Sequence, residues 1–160
     1  MELVTHIDID APPERVWEVL TDFDHYHEWN PFARVAGRPT QNARLHVELT
    51  PPSGRTMRFR PTVTRVEHGR DLRWLGHLLR PGVFDGEHRF VLEPLDGGNR
   101  TALTHAEAFT GELSPLAGRA VRAGTQRGFE AMNVALKRRV EGASGAHDTR
   151  AGAGHGQTTT

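Results

Sequence analysis

Apolar and polar residues alternate along several stretches of the chain, which is the pattern of half-buried β-strands. The first stretch runs from Leu3 to Ile9, and the others lie between Leu45 and Phe109, separated by turn residues such as Asp96-Gly97-Gly98-Asn99. The positions that share the inward parity are mostly apolar: Leu45, Val47, Leu49, Met57, Phe59, Val63, Leu72, Trp74, Phe90, Leu103 and Phe109. The pattern predicts about six to seven strands that pair as hairpins.

Two short helices are predicted between the first strand and the rest. Val16, Trp17 and Leu20 recur at helical spacing after Pro12-Pro13, and proline suits a helix start because its missing N–H would be unpaired there. A second short helix or turn is predicted from Phe23 to Trp29. Asn30-Pro31 ends it, since the residue before a proline is pushed out of the helical region.

A long C-terminal helix is predicted from Ser114-Pro115 to about Val140, with the serine as N-cap. Its apolar stripe consists of Phe129, Met132, Leu136 and Val140. Residues 141–160 are mainly Gly, Ala, Ser, His and Thr, which cannot bury enough apolar surface to order a segment. We expect them to form a disordered tail.

Strands grouped apart from helices indicate an α+β fold, and 160 residues suit one domain. The long helix must bury its stripe, and the concave face of a curved sheet is the available partner. Gly124 and Gly128 lie inside this helix. They either leave room beneath the sheet or allow the helix to pack closely, and the sequence does not distinguish the two.

Three segments carry a family resemblance. They are IDIDAPPERVWEVLTDFDHYHEWNPF (residues 7–32), PGVFDGEHRFVLEP (81–94) and LTHAEAFTGEL (103–113). Together they resemble the START-like (SRPBCC) superfamily, in its bacterial polyketide cyclase/dehydrase-like branch. The resemblance covers residues 1–140 and implies a helix-grip fold, in which a curved antiparallel sheet wraps a long C-terminal helix around a ligand cavity. It implies no catalytic residue, because the superfamily shares no catalytic set.

The inner face then predicts the cavity lining. Apolar walls with a few polar groups are typical of ligand sites. The candidate ligand-binding residues are Trp29, Phe59, Trp74, Phe84, His88, Phe90, Glu107, Phe109, Phe129 and Met132. Trp29 is included because the resemblance places its loop near the cavity mouth; the alternative is that it caps the core.

Three ionisable residues share the inward parity, namely Glu107, His88 and His105. Buried charges are costly unless paired, so these residues need a reason to be there. One interpretation is acid–base catalysis, in which a buried carboxyl group and a histidine exchange a proton with the substrate, for example to enolise a ketone or dehydrate an aldol. The other is structural, with Glu107 bonded to an arginine or a backbone N–H and the histidines satisfied in the core.

Other chemistries are disfavoured. There is no cysteine, so disulfides, thiolate metal sites and cysteine nucleophiles are excluded. His25-Tyr26-His27-Glu28 fits no metal-ligand spacing, and no phosphate-binding or nucleophile-elbow motif is present. The sequence therefore predicts neither a metal nor a cofactor.

The partner predicted is a small hydrophobic molecule. The formal net charge is zero, which gives no general attraction to nucleic acid or anionic membranes. No signal-peptide pattern or stretch of about 20 apolar residues is seen, so we expect a cytoplasmic protein with no stable membrane insertion. Whether it is a monomer or a homodimer is left open.

Three functions compete at this point. The first is binding of a lipid, isoprenoid or polyketide-like molecule in the cavity. The second is an enzyme of the polyketide cyclase, aromatase or dehydratase type that uses Glu107 and His88. The third is a protein-interaction module of the chaperone-activator kind, which ranks last because no amphipathic stretch remains once the core is assigned.

Overall fold

The computed structural model describes residues 1–50, 56–78, 80–112 and 114–148. Within these ranges the strands are β1 (Glu2–Ile9), β2 (Ala33–Ala36), β3 (His46–Leu49), β4 (Met57–Phe59), β5 (Thr62–Glu67), β6 (Asp71–Leu78), β7 (Phe84–Leu95) and β8 (Arg100–Thr110). The α-helices are α1 (Pro13–Thr21), α2 (Tyr26–Trp29) and α3 (Ser114–Asp148), and a 3-10 turn at Phe23–His25 precedes α2. The α+β class is confirmed.

All strand pairs are antiparallel. Five strands pair in the order β1-β8-β7-β6-β5 and three in the order β2-β3-β4. The Arg44–Thr62 bridge links the two groups, and the Leu45 backbone N–H donates to the Pro61 carbonyl oxygen at 2.9 Å. The result is a curved sheet of eight strands, the helix-grip arrangement expected from the resemblance.

The strand count of six to seven was too low. The sequence did not reveal β2, because this four-residue strand has only Ala33 and Val35 on its buried face. The stretch from Met57 to Val63 divides into β4 and β5 at Arg60-Pro61, where proline has no N–H for the ladder. The register of β7 against β8 is continuous along its whole length, whereas the pairing of β5 with β6 shifts between Val63 and Arg65.

The long helix packs its predicted stripe into the core. Phe129, Met132, Leu136 and Val140 are all buried, and they face the sheet together with the buried Val16, Trp17 and Leu20 of α1. This places α3 across the inner face of the sheet, which defines where a cavity can form.

The end of α3 differs from the prediction. The helix continues to Asp148, so residues 141–148 are helical where we expected a tail. Glu141 anchors this end, since its carboxylate accepts hydrogen bonds from the Asp10 backbone N–H (2.8 Å) and from Lys137 Nζ (2.6 Å). Residues 149–160 lie outside the described residues, and a domain boundary at residue 140 stays a prediction.

Candidate ligand cavity and its polar cluster

A cavity of about 440 Å³ lies between the inner face of the sheet and α3. Its walls are largely aromatic and aliphatic: Phe32, Val35, Val47, Leu49, Met57, Phe59, Trp74, Phe84, Phe90, Phe109, Phe129 and Met132. Few polar side chains line it, namely Tyr26, His77, His88, Glu107 and Thr125. The strands supply the walls because their inward positions alternate along each chain.

Three glycines are among the described residues that line the cavity. Gly76 and Gly86 face each other in the β6–β7 ladder, so two adjacent inward positions have no side chain. A Cβ on Gly86 would lie 2.7 Å from Glu107 Oε1, which shows that the Glu107 carboxylate occupies the space above Gly86. On α3, Gly124 lines the cavity, and a Cβ there would meet no atom within 4 Å.

Gly128, on the same helix as Gly124, lies against another side chain and leaves no open space. A Cβ at this position would lie 2.5 Å from the ring of Phe32, so the glycine permits close packing of the helix. The two interpretations of the helix glycines therefore each hold at one position.

His88 and Glu107 form the polar centre of the cavity wall. They are directly paired across β7 and β8, and His88 Nδ1 lies 3.6 Å from Glu107 Oε2. Both side chains are mostly buried yet reach the cavity, with 12% and 18% of their surface exposed. The Trp74 indole stacks on the His88 ring at 4.8 Å between centroids and an angle of 7°. This stacking fixes the plane of the imidazole.

His105 lies behind His88, away from solvent. Its Nε2 is 2.9 Å from His88 Nε2, and its Nδ1 is 2.8 Å from Asn133 Oδ1. The rings of Phe129 and Phe90 stack on it, at 3.8 Å and 4.5 Å between centroids. Burial lowers the pKa of His105 well below 6.5, and the nearby His88 lowers it further, while the hydrogen bond with Asn133 acts in the opposite direction. His105 is therefore a neutral imidazole near pH 7.

Sequence reasoning missed two residues of this cluster, Asn133 and Thr5. Asn133 on α3 is buried, and its Nδ2 donates to Thr5 Oγ1 at 3.0 Å. Thr5 on β1 donates in turn to the His105 carbonyl oxygen at 3.0 Å. A signal for Asn133 was present, because it sits between Met132 and Leu136 on the apolar stripe, where a polar residue requires a buried partner.

The predicted ligand-binding residues other than Trp29 all line the cavity. Trp29 lies elsewhere: its indole packs edge-on against Tyr26 at 4.8 Å, and it borders a shallow surface depression beside Pro31 and Val134. Trp29 therefore caps the core, and Tyr26 takes its place at the cavity wall. The three ionisable candidates, by contrast, come together in one chain of contacts.

Two other polar groups near the cavity have structural partners. The Tyr26 hydroxyl donates to the Leu20 carbonyl oxygen at 2.5 Å, and burial raises its pKa. At the rim, His77 Nδ1 lies 2.7 Å from Asp85 Oδ1, while the Gly82 N–H donates to the same carboxylate. These two bonds lower the pKa of Asp85, that with His77 more than that with Gly82. Among the described lining residues, His88 and Glu107 are the imidazole and carboxylate that contact each other while both line the cavity.

The comparisons with known proteins agree with this geometry. Residues 1–141 match the family described as polyketide cyclase/dehydrase and lipid transport. The chain belongs to this family. No curated protein matches the sequence significantly. Among the residues that the structure describes, no helix is both long enough and apolar enough to cross a membrane.

Solved structures show the same fold. A START superfamily protein from Mycobacterium smegmatis superposes with a TM-score of 0.69 at 21% identity, covering 89% of this chain and 98% of that chain. The protein TTHA0849 from Thermus thermophilus gives 0.70 at 20% identity, covering 90% and 99%. DynU16, a protein of the dynemicin biosynthetic locus, gives 0.67 at 21% identity; it covers 88% of this chain, which matches 47% of DynU16. At these identities the likeness concerns the fold.

Proposed function

We propose that the protein binds a small hydrophobic or amphipathic molecule, such as a lipid, an isoprenoid or a polyketide-like compound, inside the cavity. The cavity of about 440 Å³ supports this proposal. Ligand sites typically enclose roughly 300–1,000 Å³ with apolar walls and a few placed polar groups. The family's description, which includes lipid transport, is consistent with such a role.

The placement of the polar groups describes the ligand further. Its apolar body would lie against the aromatic walls, including Phe59, Phe109 and Phe129. One polar group would reach His88 and Glu107, whose side chains remain partly exposed to the cavity. The observation that carries the proposal is this combination of a partly open, largely apolar cavity with one His–Glu pair in its wall.

A blocking substitution tests the proposal. Gly124→Leu places a side chain into open cavity space and raises helix propensity at the same time, so loss of binding would not reflect loss of folding. Gly142→Leu is the matched control: it is the same change on the same helix, away from the cavity lining, and a Cβ there also meets no atom within 4 Å.

The readout is native mass spectrometry of the protein purified from its host, followed by identification of any extracted compound. We expect a co-purifying small apolar molecule in the parent protein and in Gly142→Leu, and a loss of at least tenfold in occupancy in Gly124→Leu. Equal occupancy in all three proteins would contradict binding in this cavity. An empty parent protein that also binds no lipid or aromatic probe would contradict the proposal itself.

The second candidate function is an enzyme that uses Glu107 and His88 as acid and base. The observation that favours it is the direct pairing of these residues at the cavity wall, 3.6 Å apart. A carboxylate and an imidazole so placed would remove a proton from the carbon next to a ligand carbonyl and return one to the oxygen, the chemistry of enolisation. The family's description, which includes polyketide cyclases and dehydrases, is consistent with it.

Deuterium exchange tests this second candidate. A polyketide-like ketone is incubated with the protein in D₂O, and the loss of its α-proton signals is followed by NMR. We expect faster exchange than in buffer, and loss of the acceleration in Glu107→Gln and in His88→Ala. Unchanged exchange in both variants would refute the assigned roles and leave the binding function in place.

A further inference from the structure

A chain of buried hydrogen bonds runs from β1 to the cavity wall. It begins at Thr5, passes through Asn133 of α3 and His105 of β8, and reaches His88 of β7. Each link is between 2.8 and 3.0 Å long. Thr5, Asn133 and His105 are buried, so water does not compete for these bonds. The direction in which each bond donates is therefore set by the partners themselves.

The direction is fixed at the Thr5 end. The Thr5 hydroxyl lies 3.0 Å from the His105 carbonyl oxygen, and a carbonyl accepts only. The Thr5 hydroxyl proton therefore points to the backbone carbonyl oxygen of His105. Thr5 Oγ1 must then accept a hydrogen bond from the Asn133 side chain. This orients the amide: its Nδ2 faces Thr5 and its Oδ1 faces His105. Since Oδ1 also accepts only, His105 must carry its proton on Nδ1.

The same reasoning continues to His88. A neutral His105 with its proton on Nδ1 has a lone pair on Nε2. His88 Nε2, at 2.9 Å, must therefore be the donor of that contact. This leaves His88 Nδ1 as the nitrogen that faces Glu107 Oε2 at 3.6 Å. This distance is longer than a hydrogen bond, so the chain of fixed donors and acceptors ends at His88 Nε2.

We propose that Thr5 and Asn133 are positioning residues that hold His105 as the Nδ1–H tautomer, so that His88 donates to it through Nε2 and turns its Nδ1 toward Glu107 at the cavity wall. Neither Thr5 nor Asn133 lines the cavity. They act through His105. The proposal does not depend on whether the cavity binds or transforms its ligand, because it concerns the proton arrangement of the protein's own side chains.

Burial lowers the pKa of His105, so its ring is neutral and carries a single proton, which lies on Nδ1 in this arrangement. The reverse arrangement is also well defined. If the Asn133 amide were turned round, Thr5 would donate to it, His105 would carry its proton on Nε2, and His88 Nε2 would be the acceptor of the bond between the two histidines. That state places the Thr5 oxygen and the His105 carbonyl oxygen 3.0 Å apart with no proton between them. This repulsive contact is the reason that we favour the first arrangement.

The tautomers are distinguished by long-range ¹H–¹⁵N NMR of the histidine side chains in the full-length protein, labelled at histidine and measured near pH 7. In the parent protein we expect the His105 resonances of the Nδ1–H tautomer. Thr5→Ser keeps the hydroxyl and should leave them unchanged. Thr5→Val removes the group that orients the amide, and Asn133→Leu removes the acceptor itself, so both should shift His105 toward the Nε2–H tautomer.

The parent measurement and Thr5→Val keep the proposal testable even if Asn133→Leu fails to fold. An Nε2–H or doubly protonated His105 in the parent would overturn the proposal. So would an unchanged Nδ1–H tautomer in folded Thr5→Val and Asn133→Leu, because the two residues would then have no positioning role. Dispersed backbone amide spectra establish folding independently of the histidine signals.

Discussion

His88 and Glu107 lie directly opposite each other on β7 and β8, with His88 Nδ1 3.6 Å from Glu107 Oε2. The other nitrogen of the same imidazole lies 2.9 Å from the buried His105. His88 therefore connects a largely apolar cavity to a hydrogen-bonded chain within the core.

The first prediction concerns the polar end of the ligand. Glu107→Met retains the size of the side chain and removes its hydrogen-bonding group. We expect up to about a tenfold loss in affinity for 2-naphthol and little change for naphthalene, because one hydrogen bond contributes about 0.5–1.5 kcal/mol and tenfold corresponds to about 1.4 kcal/mol. Competition with a fluorescent probe measures both affinities. An equal loss for the two compounds would mean that Glu107 acts on cavity shape alone.

The second prediction concerns close packing of α3. Gly128→Ala gains helix propensity, by up to about 1 kcal/mol, but its Cβ would lie 2.5 Å from the Phe32 ring. Overpacking of this kind costs about 1–3 kcal/mol, so we expect a net loss of stability in urea unfolding. Gly142→Ala on the same helix meets no atom within 4 Å and should be neutral or stabilising.

A second-site change shows whether the ring is the cause. If Phe32 is what Gly128→Ala collides with, then adding Phe32→Leu should recover part of the lost stability. A loss that persists in full would place the collision elsewhere.

The third prediction concerns acid stability. The pKa of His105 is lowered in the folded protein, so between about pH 6.5 and that lower value the unfolded chain binds more protons than the folded one. Stability should therefore be unaffected by this group above pH 6.5. It should fall as the pH drops below 6.5, by at most about 1.4 kcal/mol per pH unit for one proton. Chemical unfolding at a series of pH values gives the slope.

Two variants assign that slope to His105. His105→Gln retains hydrogen-bonding capacity without titrating and should flatten the profile by about one proton. His46→Gln changes an exposed histidine and should leave the profile as in the parent. An unaltered slope in His105→Gln would show that other groups carry the acid sensitivity.

The fourth prediction concerns the cooperation of Thr5 and Asn133. Removing either partner leaves a buried polar group unsatisfied, which costs about 1–3 kcal/mol. Because they share one hydrogen bond, Thr5→Val and Asn133→Leu together should cost less than the sum of the single changes, with a coupling of about 0.5–3 kcal/mol. Urea unfolding of the four proteins gives this cycle. Additive losses would mean that the two residues act independently.

Local patterns along the chain were enough to predict the fold class. Alternation over β1 and β6 to β8, the Asp96–Asn99 turn and the apolar stripe of α3 each depend on neighbours in sequence, and the structure confirms them. The sequence pattern did not predict β2 or the division between β4 and β5 at Pro61. Strands as short as β2 and β4, with four and three residues, have too few positions for an alternating period to be recognised.

Sequence patterns predicted only part of the candidate site. Parity placed His88, His105 and Glu107 on the inner face, but it could not say that His88 and Glu107 are direct partners, since register depends on every strand pair between the turns. Strand parity also could not predict the orientation of the Trp29 side chain, because that orientation depends on how α2 packs.

Asn133 shows the difference most clearly. The sequence marks it as a polar residue on an apolar stripe, and only the crossing of α3 over β1 and β8 places its amide between Thr5 and His105. The chain's own pattern thus determined that a helix covers the inner face of an antiparallel sheet. Tertiary packing decided which polar groups meet there, because residues about 28 and 128 positions apart in the chain come within hydrogen-bonding distance only when the sheet and helix are assembled.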